Sequence, residues 1–157
     1  MAPSAMQPPS RILVPVTDSE ASLEAVSAAC SLARARKSQV LALHVIEVLR
    51  SLPLNSPAEE KARRGEMILR RAEETATAAD YHIGGELVQA RQAGQAIVGE
   101  ARDRSVGAII MGIEYNRLSG AFQMGRTADY ILRNAQCQVW IVRQALAPGE
   151  LGPDTRR

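Results

Sequence analysis

Short apolar runs alternate along this chain with longer segments whose apolar residues recur at helical spacing. The apolar runs are rich in Val, Ile and Leu and predict strands at residues 11–16, 39–48, 82–90, 106–112 and 138–143. The segments between them predict amphipathic helices at residues 21–36, 58–79, 93–104 and 126–134. On the second helix, the predicted buried side carries Met67, Ile68, Ala72 and Ala76.

This alternation predicts an α/β fold: a single doubly wound, open parallel sheet of five strands with four helices. The strands read as continuous apolar runs because helices cover both faces of such a sheet. Ligands of these folds bind beyond the carboxyl ends of the strands, where the strand order reverses. The candidate ligand-binding segments therefore follow Val16, Val45 and Gly112.

Both ends of the chain lie outside the alternation. Residues 1–10 read MAPSAMQPPS, without the basic-then-apolar pattern of a signal peptide, and are predicted to be a disordered arm. Residues 145–157 again contain Pro and Gly and are predicted to be a loose tail. Residues 11–144 then form one domain, which suits a chain of 157 residues.

Composition excludes several classes of partner. Aromatic residues are 3% of the chain, too few for the stacking platforms that bind single strands, and a net charge of +2 predicts no nucleic-acid surface. No apolar run approaches the ~20 residues that span a bilayer. Cys30 and Cys137 lie in apolar segments and are predicted to be buried thiols. We therefore expect a cytoplasmic protein without membrane insertion.

The motifs of common nucleotide and hydrolase chemistries are missing. The chain has no GxGxxG after the first strand, no GxxxxGK[ST] and no GxSxG. The segment TDSEAS after the first strand lacks the glycines that an ATP pyrophosphatase loop needs. His44 and His82 have no metal-ligand spacing. The sequence therefore predicts a protein that is not an enzyme, with no catalytic residue and no metal held by protein side chains alone.

The most informative segment is residues 112–129, GIEYNRLSGAFQMGRTAD. It leaves a predicted strand at Gly112 and enters a predicted helix through Gly125, Arg126 and Thr127, with Arg117 as a further positive charge. A glycine before a helix lets an anion approach the free N–H groups, and the helix dipole favours negative charge there. The segment thus predicts phosphate binding. The alternative is a strand-to-helix connection whose glycines serve only backbone turns.

Together with the strand sequences, this segment resembles the universal stress protein family. The resemblance covers residues 11–144 and rests on RILVPVTDSEAS, LALHVIE, IIMG and GRTADYILRNAQCQVWIVR. It implies an adenine-nucleotide alpha-hydrolase-like fold with strand order 3-2-1-4-5. It also implies a protein that is usually dimeric and in some members binds ATP.

The resemblance further implies which residues form the site. In ATP-binding members an Asp after the first strand contacts the nucleotide, and backbone at the end of the second strand contacts adenine. A loop with Gly, two residues, Gly, nine residues, then Gly and Ser or Thr holds the phosphates. By position, the corresponding residues here are Thr17 with Asp18 beside it, Val45, Gly112, Tyr115, Gly125, Arg126 and Thr127. The implied ligand is ATP or another adenine nucleotide, with Mg²⁺ only alongside the nucleotide.

Three of these positions depart from the family pattern. Thr17 stands in place of the Asp, and its hydroxyl makes a hydrogen bond but supplies no carboxylate. Tyr115 replaces the middle glycine, where a side chain would block the backbone or change its angles. Arg126 replaces the Ser or Thr and is a stronger phosphate ligand, with a hydroxyl displaced to Thr127.

Two functions remain open at this point. The first is a non-enzymatic regulatory domain that senses an adenine nucleotide or related phosphate ligand in the crevice between the first and fourth strands. The second is a protein-interaction module of a stress response that has lost ATP binding and regulates a partner such as a transporter.

The last strand is the candidate dimer interface. The resemblance implies pairing through this strand, and an edge strand offers unpaired backbone groups to a second copy. Alternation places Val139 and Ile141 on one face and Trp140 and Val142 on the other. The alternative is that these four side chains only fill the two sides of the core.

Overall fold

The computed structural model describes residues 9–115 and 122–146, which form a parallel sheet with helices on both faces. The elements are β1 (Arg11–Pro15), α1 (Glu20–Ala33), β2 (Gln39–Glu47), α2 (Glu59–Ala78), β3 (Gly84–Ala90), α3 (Ala93–Asp103), β4 (Ala108–Ile113), α4 (Arg126–Asn134) and β5 (Gln138–Arg143). The five strands lie in the order β3-β2-β1-β4-β5, and every pair is parallel. The predicted fold class and strand order are confirmed. Arg117 and most of the predicted arm and tail lie outside the described residues.

The central strand β1 separates two apolar clusters. Ile12 and Val14 belong to the cluster under α1 and α2, and Leu13 belongs to the cluster under α3 and α4. All three side chains are at most 1% exposed. Because both faces of β1 are buried, its sequence is continuously apolar instead of alternating. In the part of the chain that the structure describes, no helix is both long and apolar enough to cross a membrane.

One predicted core position on α2 is wrong. Met67 is 59% exposed, whereas Ile68, Leu69, Ala72 and Ala76 are buried under the helix. Residues 68, 72 and 76 are four apart and lie on one face of the helix, with Leu69 beside them. Met67 comes one residue before Ile68 and is therefore rotated about 100° around the helix from this row, in the direction opposite to Leu69. Its side chain therefore faces outward.

Helix α1 approaches the end of β4 so closely that only glycine fits between them. A Cβ atom at Gly112 would lie 1.8 Å from the carbonyl oxygen of Ala21 and 2.9 Å from the backbone nitrogen of Ser22. Backbone atoms cannot move aside as a flexible side chain can. Gly112 therefore has a packing role that does not depend on any ligand.

We predict that Gly112→Ala lowers the free energy of unfolding by at least about 1–3 kcal/mol, the usual range for overpacking a rigid site. Gly99→Ala is the matched control, because a Cβ there would meet only the Arg102 guanidinium at 4.0 Å inside helix α3. Replacing a glycine in a helix interior by alanine stabilises by about 0.5–1 kcal/mol. Urea denaturation measures both changes. Equal stabilities of the two variants would contradict the close contact.

Candidate functional site

A cavity of about 520 Å³ opens at the carboxyl ends of β1, β2 and β4. Strand order reverses at this point, because β1 pairs with β2 on one side and with β4 on the other. The volume lies within the ~300–1,000 Å³ typical of small-molecule sites. Six of the predicted site residues line the cavity together: Thr17, Val45, Gly112, Gly125, Arg126 and Thr127.

The other two predicted site residues, Asp18 and Tyr115, are not part of the described cavity lining. The Asp18 carboxylate pairs with the Arg71 guanidinium of α2 at 3.0 Å. The Tyr115 ring stacks on Phe122 with centroids 5.3 Å apart, and the Arg143 guanidinium carbon lies 5.1 Å from the Tyr115 centroid. The Tyr115 side chain thus packs beside the cavity and does not fill it.

Helix α4 begins at the cavity with an open N-terminus. Its N-cap is Gly125, and no side chain caps the helix there. A Cβ atom at Gly125 would meet no atom within 4 Å, and the φ angle of −62° suits any residue. Neither sterics nor backbone angles require glycine at this position. The consequence of the missing side chain is access for a ligand to the first N–H groups of α4, which have no partner within the helix.

The other helices that begin at this edge of the sheet are less suited to an anion. In α1, Ser19 Oγ accepts a hydrogen bond from the Ser22 N–H at 3.2 Å. In α3, Glu47 Oε1 accepts one from the Ala93 N–H at 3.0 Å. Helix α2 carries Glu59 and Glu60 in its first turn, and their charge repels an anion. The favourable anion position at this edge is therefore the start of α4.

Val45 presents backbone groups on the opposite side of the cavity. The Leu43 carbonyl accepts a hydrogen bond from the Val16 N–H at 2.9 Å, across the gap between β2 and β1. Strand residues two apart direct their backbone groups to the same side, and β1 has ended at Pro15. Val45 therefore turns one donor and one acceptor toward the cavity, beside the side chains of Ile97 and Met111.

Between these two positions lies a network of hydroxyl groups that the sequence analysis missed. Thr17 Oγ1 is 3.1 Å from both Ser19 Oγ and Ser22 Oγ, and the Thr17 N–H donates to Ser22 Oγ at 3.0 Å. Ser22 is 2% exposed, and both serines line the cavity. The spacing Ser19-x-x-Ser22 directly after a strand is typical of a helix cap. It is the sequence pattern from which these hydroxyl groups could have been predicted.

The described residues contain no group of three or more His, Cys, Asp or Glu side chains arranged to hold a metal ion. Glu114 lines the cavity, while Asp18 is engaged by Arg71. Mg²⁺ alongside a nucleotide therefore stays a prediction.

Displaced pKa values occur at packing positions away from the cavity. Burial raises the pKa of Cys30, Tyr81 and Cys137 above the ordinary values for thiols and phenols. A hydrogen bond to Glu100 raises the pKa of Arg104 further above its usual range. Cys30 is buried and Cys137 half-buried, and both are free thiols.

The chain was compared with models of protein families, with curated protein sequences and with solved structures. A model of the universal stress protein family matches residues 9–143. No curated protein sequence matches the chain.

Three solved structures illustrate the likeness. A universal stress family protein from Burkholderia pseudomallei is 22% identical with a TM-score of 0.66, over 89% of this chain and 98% of that one. The universal stress protein from Archaeoglobus fulgidus in complex with dAMP is 19% identical with a TM-score of 0.68, over 83% and 95%. A family protein from Arabidopsis thaliana with AMP bound is 14% identical with a TM-score of 0.64, over 90% and 97%. At these identities the likeness shows the fold.

We predict that Ser22→Ala lowers the free energy of unfolding by about 1–3 kcal/mol, because the Thr17 N–H loses its acceptor at the edge of the core. Ser31→Ala on the exposed side of the same helix is the control, and its effect should stay within about 0.5 kcal/mol. Thermal or urea unfolding compares the two variants. A loss no larger for Ser22 than for Ser31 would show that the hydroxyl network adds no stability.

Proposed function

The chain belongs to the universal stress protein family, and from this membership we propose that it is a non-enzymatic regulatory domain that binds an adenine nucleotide. The nucleotide would occupy the cavity between β1 and β4, and binding would change the contacts that the domain makes with other proteins. A cytoplasmic location stays a prediction from the sequence.

The open N-terminus of α4 is the observation that carries this proposal. An uncapped helix start with a glycine and no atom in its way accepts a phosphate group through its N–H groups and its dipole. The side chain of Arg126 adds a positive charge that has no carboxylate oxygen within 4.0 Å among residues 9–115 and 122–146. Thr127 adds a hydroxyl at the same place.

The opposite side of the cavity fits a purine base. Adenine presents a ring nitrogen acceptor beside an amino donor, and the Val45 backbone offers a donor and an acceptor on the edge facing the cavity. Ile97, Met111 and Met124 supply apolar contacts for the flat faces of the base. Base, sugar and phosphate would then follow the strand order β2, β1 and β4 across the sheet.

The relatives support the choice of an adenine nucleotide. Structures of the Archaeoglobus fulgidus and Arabidopsis thaliana proteins contain dAMP and AMP respectively. We propose the same class of ligand here, ATP included, with Mg²⁺ held by nucleotide phosphates and by Glu114 when phosphates are present. We expect no rapid turnover, because the sequence of the segment that follows β4 offers no catalytic base together with a metal-held water.

We predict that Gly125→Asp abolishes nucleotide binding while leaving the fold intact. Aspartate is a favourable N-cap, so the start of α4 should be stabilised by several tenths of a kcal/mol, while the carboxylate repels phosphate. Gly125→Asn adds nearly the same shape without the charge and should weaken binding less. Isothermal titration with AMP, ADP and ATP measures affinity, and urea denaturation measures stability.

Two results would contradict the proposal. The first is a wild-type protein that releases no nucleotide on heating and shows no thermal shift at millimolar AMP, ADP, ATP or cyclic nucleotides. That result would favour the interaction module without a ligand. The second is unchanged affinity in Gly125→Asp, with Gly99→Ala as the control outside the cavity.

We also propose that the domain forms a homodimer through β5. This strand is at the end of the sheet order and pairs with β4 on one side. Trp140 and Val142 pack against the cluster under α1 and α2, and Val139 packs against the other cluster. Ile141 remains 36% exposed. An edge strand with an exposed apolar side chain supports pairing with a second copy.

We predict that Ile141→Lys shifts the protein from dimer to monomer. Pairing through β5 would bury the ammonium group of each copy in the interface, and burying an unpaired charge is costly. Leu132→Lys is the control, since Leu132 is 41% exposed on α4 instead of on the edge strand. Size-exclusion chromatography with light scattering gives the mass of each variant. A monomeric wild type, or loss of the dimer in the control alone, would contradict pairing through β5.

A further inference from the structure

We infer that the cavity does not select for the free 2′,3′-diol of ribose and therefore also takes adenine nucleotides altered at that edge of the sugar. This class includes 2′-deoxy nucleotides and nucleotides that carry a phosphate ester at the 3′ oxygen. The inference rests on the proposed function, because it concerns the sugar of the same ligand.

The order of the strands assigns the sugar to the segment after β1. Val45 belongs to β2 and the anion position belongs to the segment between β4 and α4, with β1 lying between β2 and β4. A ligand with its base at Val45 and its phosphate at the start of α4 must place its sugar over the end of β1. The cavity-lining hydroxyl groups of this segment belong to Thr17, Ser19 and Ser22, and Thr17 is the first of them after the end of β1.

The hydroxyl groups near this point already bind one another. Thr17 Oγ1 contacts Ser19 Oγ and Ser22 Oγ at 3.1 Å, and these two serine oxygens are also 3.1 Å apart. Ser19 and Ser22 are not exposed, and neither has a buried side-chain oxygen without a hydrogen-bond partner. A site rejects an analogue strongly only when the missing group leaves a protein atom unpaired. Here, removal of a sugar hydroxyl leaves every hydroxyl of this network with a partner.

The carboxylate next to Thr17 in the chain, that of Asp18, is paired with an arginine of α2. Arg71 donates to Asp18 Oδ1 at 3.0 Å and to Glu20 Oε1 at 2.9 Å, so that one guanidinium holds both carboxylates on the α2 side. The Arg64 guanidinium forms a second, longer ion pair with Asp18, at 3.9 Å from its Oδ2 atom. A carboxylate is the group that would bind both hydroxyls of a diol and repel a sugar phosphate. The segment after β1 contributes no carboxylate to the described cavity lining.

Glu114 is the carboxylate that does line the described cavity. It follows the end of β4, on the side of the cavity that we assign to the phosphates. We therefore assign Glu114 to the phosphate end of the ligand. This placement gives the experiment a second variant that separates the two positions.

Isothermal titration of the full chain with AMP, 2′-deoxy-AMP and adenosine 3′,5′-bisphosphate tests the inference. We expect the wild-type dissociation constants for AMP and 2′-deoxy-AMP to agree within about threefold, and the bisphosphate to bind as well. Thr17→Asp should create a preference for AMP over 2′-deoxy-AMP of at least about tenfold and weaken the bisphosphate at least as much. Thr17→Asn adds a side chain shaped like that of aspartate but without the charge. Its ratio of dissociation constants for AMP and 2′-deoxy-AMP should stay near that of the wild type.

Each unfavourable outcome identifies what is wrong. A wild-type preference for AMP of tenfold or more overturns the inference while the proposed function stands, and its loss in Glu114→Gln would assign the diol contact to Glu114. A Thr17→Asp variant that binds nucleotides without any gain in preference overturns the placement of the sugar at Thr17. Wild-type protein that binds none of the three nucleotides overturns the proposed function itself.

Discussion

The contact between the first turn of α1 and the end of β4 positions the segments that line the cavity at the carboxyl ends of the strands. With no side chain at Gly112, the backbone of Ala21 and Ser22 lies directly against β4. The segment after β1 is thereby held against the segment after β4, and their divergence to opposite faces of the sheet leaves the cavity. A larger residue at position 112 would separate α1 from β4 and open the central sheet.

The electrostatics of the cavity follow from which helix starts are already capped. Ser19 and Glu47 occupy the first N–H groups of α1 and α3, and acidic side chains begin α2. Only the start of α4 combines a missing cap with an unpaired cationic side chain among the described residues. Gly125 thus leaves the start of α4 uncapped, whereas Gly112 is required by packing. Two glycines of one motif have different physical reasons.

Much of the fold was predictable because it depends on periodicity. The bounds of α4 and β5 agree with the predicted ones, and the other elements differ by a few residues at their ends. Met67 was misplaced because an apolar residue next to a buried row carries no signal of its own rotation about the helix. Asp18 was included in the site by its neighbour in sequence, but its partner Arg71 is 53 residues away.

The sequence by itself determined the parallel α/β architecture, since the order of apolar runs and amphipathic segments is a local property of the chain. With the family resemblance, it also identified six residues of the cavity lining, at or after the carboxyl ends of β1, β2 and β4. Only the tertiary structure decided that the Asp18 carboxylate faces Arg71, that Tyr115 stacks on Phe122 and that Thr17, Ser19 and Ser22 bind one another. Side-chain direction depends on partners brought together by folding, and no spacing along the chain encodes the distance between them.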